Sequence, residues 1–555
     1  MRIELLRQHP PPSTAVLAAI AAVILLCASG CSTGHTPSSP APASRGAHPD
    51  ATPTRTAAPA TATAGSTPPA LLPARPPAGT PVRVIIGREP VGPTAPADFL
   101  GLSFEMRSLP SIARYAEGRP AGENDDTGPA AATPAAPGDL VGLLRSLGPG
   151  VLRFGGVSAD EEVAWSEPGT RKVGARPPWA RVAITPGDLA GLARLARQTG
   201  WKVLLTVNLG HYDPAAAARE AAAAHAALGP YLLGIEIGNE PDHYARKHQR
   251  PPGWDFAAYL AQADAYRAAI ERAAPSVAIA GPDPSTGPAG LAWVRATART
   301  LRPALLTDHY YPLSSCGYRP TIGEVLSPRT VAHGNALLAR AVAIARRAHM
   351  PLRIDEANSV SCEGLPGVSD TFASALWALE YIARALHAGA AGVNLHDLIA
   401  RPHAYSPLYA PDAAALAAGR LHAAPEYYAL LAARELPGSR PLPLHIAGAA
   451  PGELGASAFR APHGLVRLVL IDYDPPGSPP LALRLPGLRA RAGAVLRLTA
   501  PAPAATAGVT LAGRAVAADG SWTPPGRLPA LYRRRGTLSL QLDPSSAAVV
   551  TLYPG

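Results

Sequence analysis

The sequence predicts an α/β fold, a closed (β/α)8 TIM barrel followed by a smaller C-terminal antiparallel β-sandwich, and three observations carry that expectation. Eight apolar, strand-like runs alternate with alanine- and leucine-rich helical runs from about residue 99 to about residue 397, the pattern of a parallel sheet with helical crossovers. The fourth and the seventh of these runs stop on a glutamate, and barrels of this kind place their working residues at the carboxyl ends of the strands. After about residue 434 the helical period gives way to short alternating strands between Pro, Gly and Asp turns.

Residues 1–31 read as an export signal. Arg2 and Arg7 precede an apolar run from Ala15 to Cys27 that is too short to span a membrane. Ala28-Ser29-Gly30-Cys31 resembles a bacterial lipobox, whose cysteine is lipidated after cleavage. The resemblance implies a lipid anchor on Cys31 at the outer face of the cell membrane, with plain secretion as the alternative. Residues 32–81 are nearly all Ser, Thr, Pro, Ala and Gly; such a composition buries no core, and a disordered spacer is expected.

The barrel is expected over residues 82–433. Its strands are predicted at Phe99–Met106, Val151–Gly156, Val203–Gly210, Leu232–Glu240, Val277–Pro282, Leu305–Tyr311, Leu352–Asn358 and Ala391–Asp397. Amphipathic helices are predicted between them, among others at Asp139–Leu147, Asp188–Gln198, Pro214–Leu228, Phe256–Ala273, Ala332–Ala348 and Asp370–Ala388. The sandwich is expected over residues 434–555, with strands at Val466–Tyr473, Leu481–Leu485, Ala494–Leu498, Val509–Leu511, Thr537–Leu542 and Ala548–Tyr553. Val82–Ile86 reads as a further strand available to that domain, which would tie the barrel's entry to its exit.

Composition narrows the functional classes. The net charge of +10 comes from arginine far more than lysine, yet no basic stripe with interleaved aromatics is present, which argues against a nucleic-acid partner. Arg533-Arg534-Arg535 is the one tight basic run and reads as a solvated turn. Of the four cysteines, Cys27 would leave with the signal and Cys31 would carry lipid, so that Cys316 and Cys362 remain in an oxidising compartment where a disulfide is expected.

Leu232-Leu-Gly-Ile-Glu-Ile-Gly-Asn-Glu-Pro241 reads as a strand buried on both faces that ends in a carboxylate. Desolvation at such a place raises a carboxyl's pKa toward the range where it donates a proton, which makes Glu240 the first catalytic candidate. Leu352-Arg-Ile-Asp-Glu-Ala-Asn358 repeats the design with Glu356. Cleavage of a glycosidic bond with retention needs two carboxyls about 5–5.5 Å apart, one as acid/base and one as nucleophile; these two acids on one barrel rim are the candidates. The other strands also end in polar groups suited to sugar: Arg153, Asn208, His309 with Tyr311, and Asn394 with His396. The two carboxyls suffice for the chemistry, and no metal or organic cofactor is called for.

Several of these stretches are similar to glycoside hydrolase family 79, the family of heparanase and of bacterial and fungal β-glucuronidases, over about residue 82 to the C-terminus. The resemblance rests on Phe104-Glu105, Leu152-Arg153-Phe154-Gly155-Gly156 with Asp160, Gly238-Asn239-Glu240-Pro241, His309-Tyr310-Tyr311-Pro312, Glu356-Ala357-Asn358-Ser359 and Gly367-Val368-Ser369-Asp370-Thr371-Phe372. It implies Glu240 as acid/base, Glu356 as nucleophile aimed by Arg153 and Tyr311, and Asn239 on the sugar 2-hydroxyl. It also implies Asp160 on the outer hydroxyls, Tyr405 near the sugar carboxylate, and Glu105 and His309 among the substrate-binding residues. The family's Tyr-Gly-Gly after the nucleophile, which cups a uronate carboxylate, reads here Ser361-Cys362-Glu363. Backbone N–H groups at Ser361 and Cys362 would still bind an anion, but the phenol is missing and an inward Glu363 would repel one. The expectation is therefore a retaining β-glycosidase of glycans or glycosides, best placed on uronic-acid substrates. A neutral glycone, or a non-catalytic carbohydrate-binding protein on the same fold, is the alternative.

Overall fold

The computed structural model describes residues 81–115, 139–166, 177–401, 403–450, 452–486, 490–533, 535 and 537–554. The leader, Cys31 and nearly all of the expected spacer lie outside them. Eight parallel strands close into a barrel: Leu100–Glu105, Val151–Gly155, Lys202–Val207, Leu232–Ile237, Ile279–Gly281, Leu305–Tyr310, Leu352–Ala357 and Gly392–Asp397, with the last pairing back onto the first. The fourth strand ends at Ile237, earlier than expected, because Gly238 turns the chain at φ +78° before Asn239 and Glu240. Among the described residues no helix is long and apolar enough to cross a membrane.

The crossover helices start where a side chain can take the orphan N–H groups of the first turn. Thr185 and Asp188 form a reciprocal capping box for Pro186–Thr199. Asp213 caps Pro214–Leu228, Asp255 caps Phe256–Ala273, and Ser327 caps Pro328–Ala348, which therefore begins four residues before the sequence pattern shows it. Phe372–Ala388 is buried almost all round, as a helix between two layers must be. One side stacks Trp377 and Tyr381 on Tyr310 of the sixth strand. From the other side His387 reaches the carbonyl of Leu442 at 3.0 Å in the β-domain. Helices Leu109–Tyr115, Asp139–Leu147, Pro288–Arg299 and Pro425–Ala433 also belong to the shell.

The β-domain packs two sheets. Val82–Ile86 lies in the smaller one, antiparallel to Leu444–Ala447 but parallel to Leu481–Leu485, so this sheet is not purely antiparallel. Leu538–Leu542 completes it. The larger sheet runs Arg440–Leu442, Leu454–Arg460, Val466–Asp472, Ser546–Pro554, Ala490–Thr499 and Thr510–Leu511, with Ala530–Tyr532 also on Ala490–Thr499. Leu481–Leu485 and Leu538–Leu542 alternate buried and exposed residues, which sends Leu483 and Leu540 into a core shared with Val84, Leu468, Leu470 and Val550.

Candidate active site

Arg153 organises the barrel interior. Its side chain is wholly buried and gives Nε to Glu236 Oε2 at 2.9 Å, Nη1 to Glu356 Oε2 at 2.5 Å and Nη2 to Asn239 Oδ1 at 2.9 Å. Asp355 and Asp283 flank it at 3.4 and 3.6 Å. Burial opposes its charge, but Glu236, Asp355, Glu356 and Asp283 together hold its pKa well above the usual arginine value. A buried ion needs this kind of pairing to persist. The close fit depends on Gly155, where an added Cβ would sit 2.3 Å from Arg153 Cζ. Asp283, His309 and Asp355 have the spacing of metal ligands; with Arg153 against both aspartates, a guanidinium already supplies positive charge to that cluster.

Glu356 sits on a β-bulge. The pairing of the seventh strand shifts register between Ile354 and Glu356 on one side and between Ile354 and Ala357 on the other. Neighbouring strand residues normally point to opposite faces; the bulge lets both Asp355 and Glu356 reach Arg153. Tyr311 donates its hydroxyl to Glu356 Oε1 at 2.8 Å. Burial pushes the Glu356 carboxyl up, but His396, His309 and Arg153 outweigh it and bring the pKa down to about 2, which keeps the group ionised.

Glu240 follows the fourth strand in a left-handed conformation (φ 49°, ψ 52°), strained for a residue with a Cβ. Its N–H is fixed on the Asp283 carbonyl at 2.8 Å. His309 Nδ1 lies 3.5 Å from Oε1, and Lys247 Nζ lies 3.1 Å and His243 Nδ1 3.7 Å from Oε2. The sequence-based expectation of a raised pKa does not hold. Burial does push the carboxyl up, but the His309 hydrogen bond and the charges of Lys247, His309 and His243 win and hold it far below the usual range. His309 joins the two acids' surroundings: burial lowers its pKa, yet Glu356 and Asp355 raise it well above the imidazole value, so it is an imidazolium that faces Glu240 through Nδ1 and Asp355 through Nε2 at 3.4 Å. Both glutamates thus belong to one charged pocket at the carboxyl ends of the strands.

No protein-family model and no curated protein matches the sequence. The fold is that of known glycoside hydrolases. A 4-O-α-L-rhamnosyl-β-D-glucuronidase from Fusarium oxysporum 12S is similar with a TM-score of 0.64 at 20% identity, over 84% of this chain and 100% of that one. A GH51 arabinofuranosidase from Xanthomonas axonopodis pv. citri gives 0.63 at 17%, over 85% and 100%. The catalytic domain of a GH30 xylanase C from Talaromyces cellulolyticus gives 0.50 at 12%, over 85% and 100%. At such identities the likeness is one of architecture, and the site must be argued from its own residues.

Most of the expected site residues come together there. Asn239, Arg153, His309, Tyr311 and Glu105 line or underlie the pocket. Glu105 accepts from the Ser158 N–H at 2.9 Å beside His396, and burial there is outweighed by His396, so its carboxyl is held low. Tyr405 is buried with its ring 5.7 Å from both Tyr311 and His396. Asp160 is a correction. Its carboxylate accepts from the N–H groups of Leu209, Gly210 and Asn239 at 2.8, 2.9 and 2.8 Å and from the Tyr244 hydroxyl at 2.7 Å. Four donors use its lone pairs, so it positions Asn239 and does not bind sugar hydroxyls. Asn208 and Asn394 are corrected likewise: one ties the Asp160 and Val163 carbonyls, the other plugs the barrel against Arg353, Leu102 and Val151.

Ser361 and Cys362 lie on the loop after the seventh strand. Val360–Ser361 pairs in parallel with Leu313–Ser314, and a Cys316–Cys362 disulfide, Cα–Cα 5.8 Å, staples the two loops. The expected disulfide is therefore present, and the backbone N–H groups of Ser361 and Cys362 are what this loop offers an anion. Closing a loop of 46 residues stabilises the fold by about 4 kcal/mol in the chain-entropy account. Glu363 is ion-paired with Arg401 and half exposed. The sequence reading missed Glu236, Asp283, Asp355, His243 and Lys247 as parts of the site. Their only signal was unusual polarity in or just after apolar strands.

Proposed function

We propose that the protein is an exported, lipid-anchored retaining β-glycosidase of the family 79 type, acting on β-glucuronides or related uronic-acid glycans. The observation that carries the reading is the convergence of Glu240 and Glu356 on one pocket in different environments. Glu356, ionised and aimed by Arg153 and Tyr311, attacks the anomeric carbon while Glu240 gives its proton to the departing oxygen. Water, deprotonated by Glu240, then releases the sugar from Glu356 with its configuration retained. Asn239, whose Oδ1 is held by Arg153, offers its amide N–H to the sugar 2-hydroxyl.

An acidic glycone is supported by charge. Pairing with Arg401 offsets the charge of Glu363 and so weakens the objection of a repelling carboxylate. A cavity of about 210 Å³ beside Glu105 is lined by Arg107 and Arg401; each already holds an acid, Glu162 at 3.1 Å and Glu363 respectively, so a substrate carboxylate would share or displace those partners. The fungal neighbour's description as a glucuronidase agrees with this. A neutral glycone is favoured by one observation only, the missing phenol at Ser361-Cys362-Glu363. A panel of chromogenic β-glycosides separates the two: β-glucuronide should be turned over fastest, and a pentoside or galactoside turned over faster would overturn the uronide assignment. Glu240→Ala should lose about 10³-fold on glycosides with poor leaving groups and far less on activated aryl glycosides, since only the former need the proton. Equal losses on both would contradict its role. The anchor has its own check. The full chain should partition into detergent on phase separation and Cys31→Ser should not; equal partitioning would remove the lipid from Cys31.

A further inference from the structure

The reaction assigned to Glu240 needs a protonated carboxyl, yet Lys247 and His309 stand against its two oxygens and favour the anion. Lys247 Nζ is 3.1 Å from Glu240 Oε2, and the lysine side chain is only 24% exposed. His309 touches the other oxygen, Oε1. When Glu240 takes up its proton, this largely buried ammonium loses its counter-ion, and an unpaired buried charge is costly. Something must replace the carboxylate. The acidic groups closest to Lys247 besides Glu240 are Asp160 and Glu161. Asp160 is already committed to four donors, and Glu161 is exposed and faces Gln249 at 3.4 Å. Beyond these, His243 stands 3.7 Å from Glu240 with Arg246 against it, and Asp242, 3.8 Å from His243, is tied to the N–H and hydroxyl of Ser285.

Resting on the assignment of Glu240 as acid/base, we propose that Lys247 is a substrate-displaced lock: an anionic group on the leaving-group side of the substrate, a carboxylate or a sulfate ester, draws Lys247 off Glu240 and frees that carboxyl to load its proton. The direction follows from geometry. Oε1 of Glu240 faces His309, which also senses Glu356, whereas Oε2 and Lys247 lie on the other flank, on the stretch that follows Pro241. In a retaining site the nucleophile lies under the sugar ring and the acid beside the departing oxygen, so the flank remote from Glu356 receives the leaving group. Lys247 thereby selects substrates: a neutral leaving group must be cleaved with the lock closed, an anionic one opens it. Proton loading is a local event, with a proton moving from solvent to Glu240 and then to the glycosidic oxygen.

The test uses three aryl glycosides of the sugar that the panel selects, with leaving groups matched in acidity and carrying a carboxylate, a sulfonate or no charge. The intact protein should prefer either charged substrate over the neutral one by about tenfold in kcat/KM, the range of one partly exposed ion pair. Lys247→Met should abolish that preference, raise kcat on the neutral substrate, and move the alkaline limb of its pH profile upward, because a carboxyl freed of an ammonium keeps its proton to higher pH. Lys247→Arg should retain part of the preference. Equal losses on all three substrates in Lys247→Met mark a structural lysine and overturn the proposal, as does a preference unchanged by the substitution. A neutral sugar winning the panel overturns the uronide reading and leaves this test in place. No turnover of any glycoside overturns the hydrolase reading and the lock with it.

Discussion

Glu356→Gln is expected to lose turnover by about 10⁴-fold or more on every substrate, activated ones included. The amide is nearly isosteric, so Tyr311 and the barrel around the bulge keep their places, but it has no anionic oxygen to form the glycosyl bond. The contrast with Glu240→Ala is the informative part, since a missing nucleophile cannot be compensated by a better leaving group. Steady-state rates on an activated aryl glycoside and on a poor one, with a melting curve as a control for folding, read it out. Residual activity within tenfold of the parent on the activated substrate would remove Glu356 from the nucleophile's role.

The second large effect is on stability. Arg153 faces Glu236, Glu356, Asp355 and Asp283 from the buried interior. Arg153→Met leaves those carboxylates without their cation, and breaking a buried pair from one side costs about 3–5 kcal/mol. The sign of the pH dependence follows from the direction of the carboxyl shifts. Burial already pushes Asp283 well above its usual value, helped by the charges of Glu236 and Asp355, and Glu236 is raised by burial too. With the guanidinium gone both rise further. Folded-state pKa values above the unfolded ones mean that the folded state binds more protons, so stability is lost as pH rises. Guanidinium unfolding at pH 5 and pH 8 should therefore show the larger deficit at pH 8. An equal deficit at both would mean that the cluster does not depend on Arg153 for its charge balance.

How much of this was legible in the sequence depends on what each residue had to signal. The barrel was legible because eight apolar strand-like runs alternate with amphipathic helical ones. The two glutamates were legible because each interrupts such a run at its end. Asp355 was not, since strand alternation sends it away from Glu356 and only the bulge brings both inward. Asp160 was misread as a sugar ligand because a sequence cannot show that four donors converge on one carboxylate. The proton state of Glu240 failed for a related reason: burial is visible in a hydrophobic run, whereas Lys247, seven positions on, meets it only after the chain turns at Pro241. Val82–Ile86 joined the β-domain as expected, but its parallel pairing with Leu481–Leu485, a strand legible in itself, had no signature in the sequence.

The most direct test is a mechanism-based trap. The chosen glycoside, carrying fluorine at C2 and an activated leaving group, is incubated with the protein, and the product is mapped by peptide mass. One sugar bound per chain, on Glu356, is the expected result, and Glu240→Ala should still be labelled. An adduct on any other residue, or steady turnover with no adduct, would contradict an ionised Glu356 facing the sugar across one pocket from Glu240.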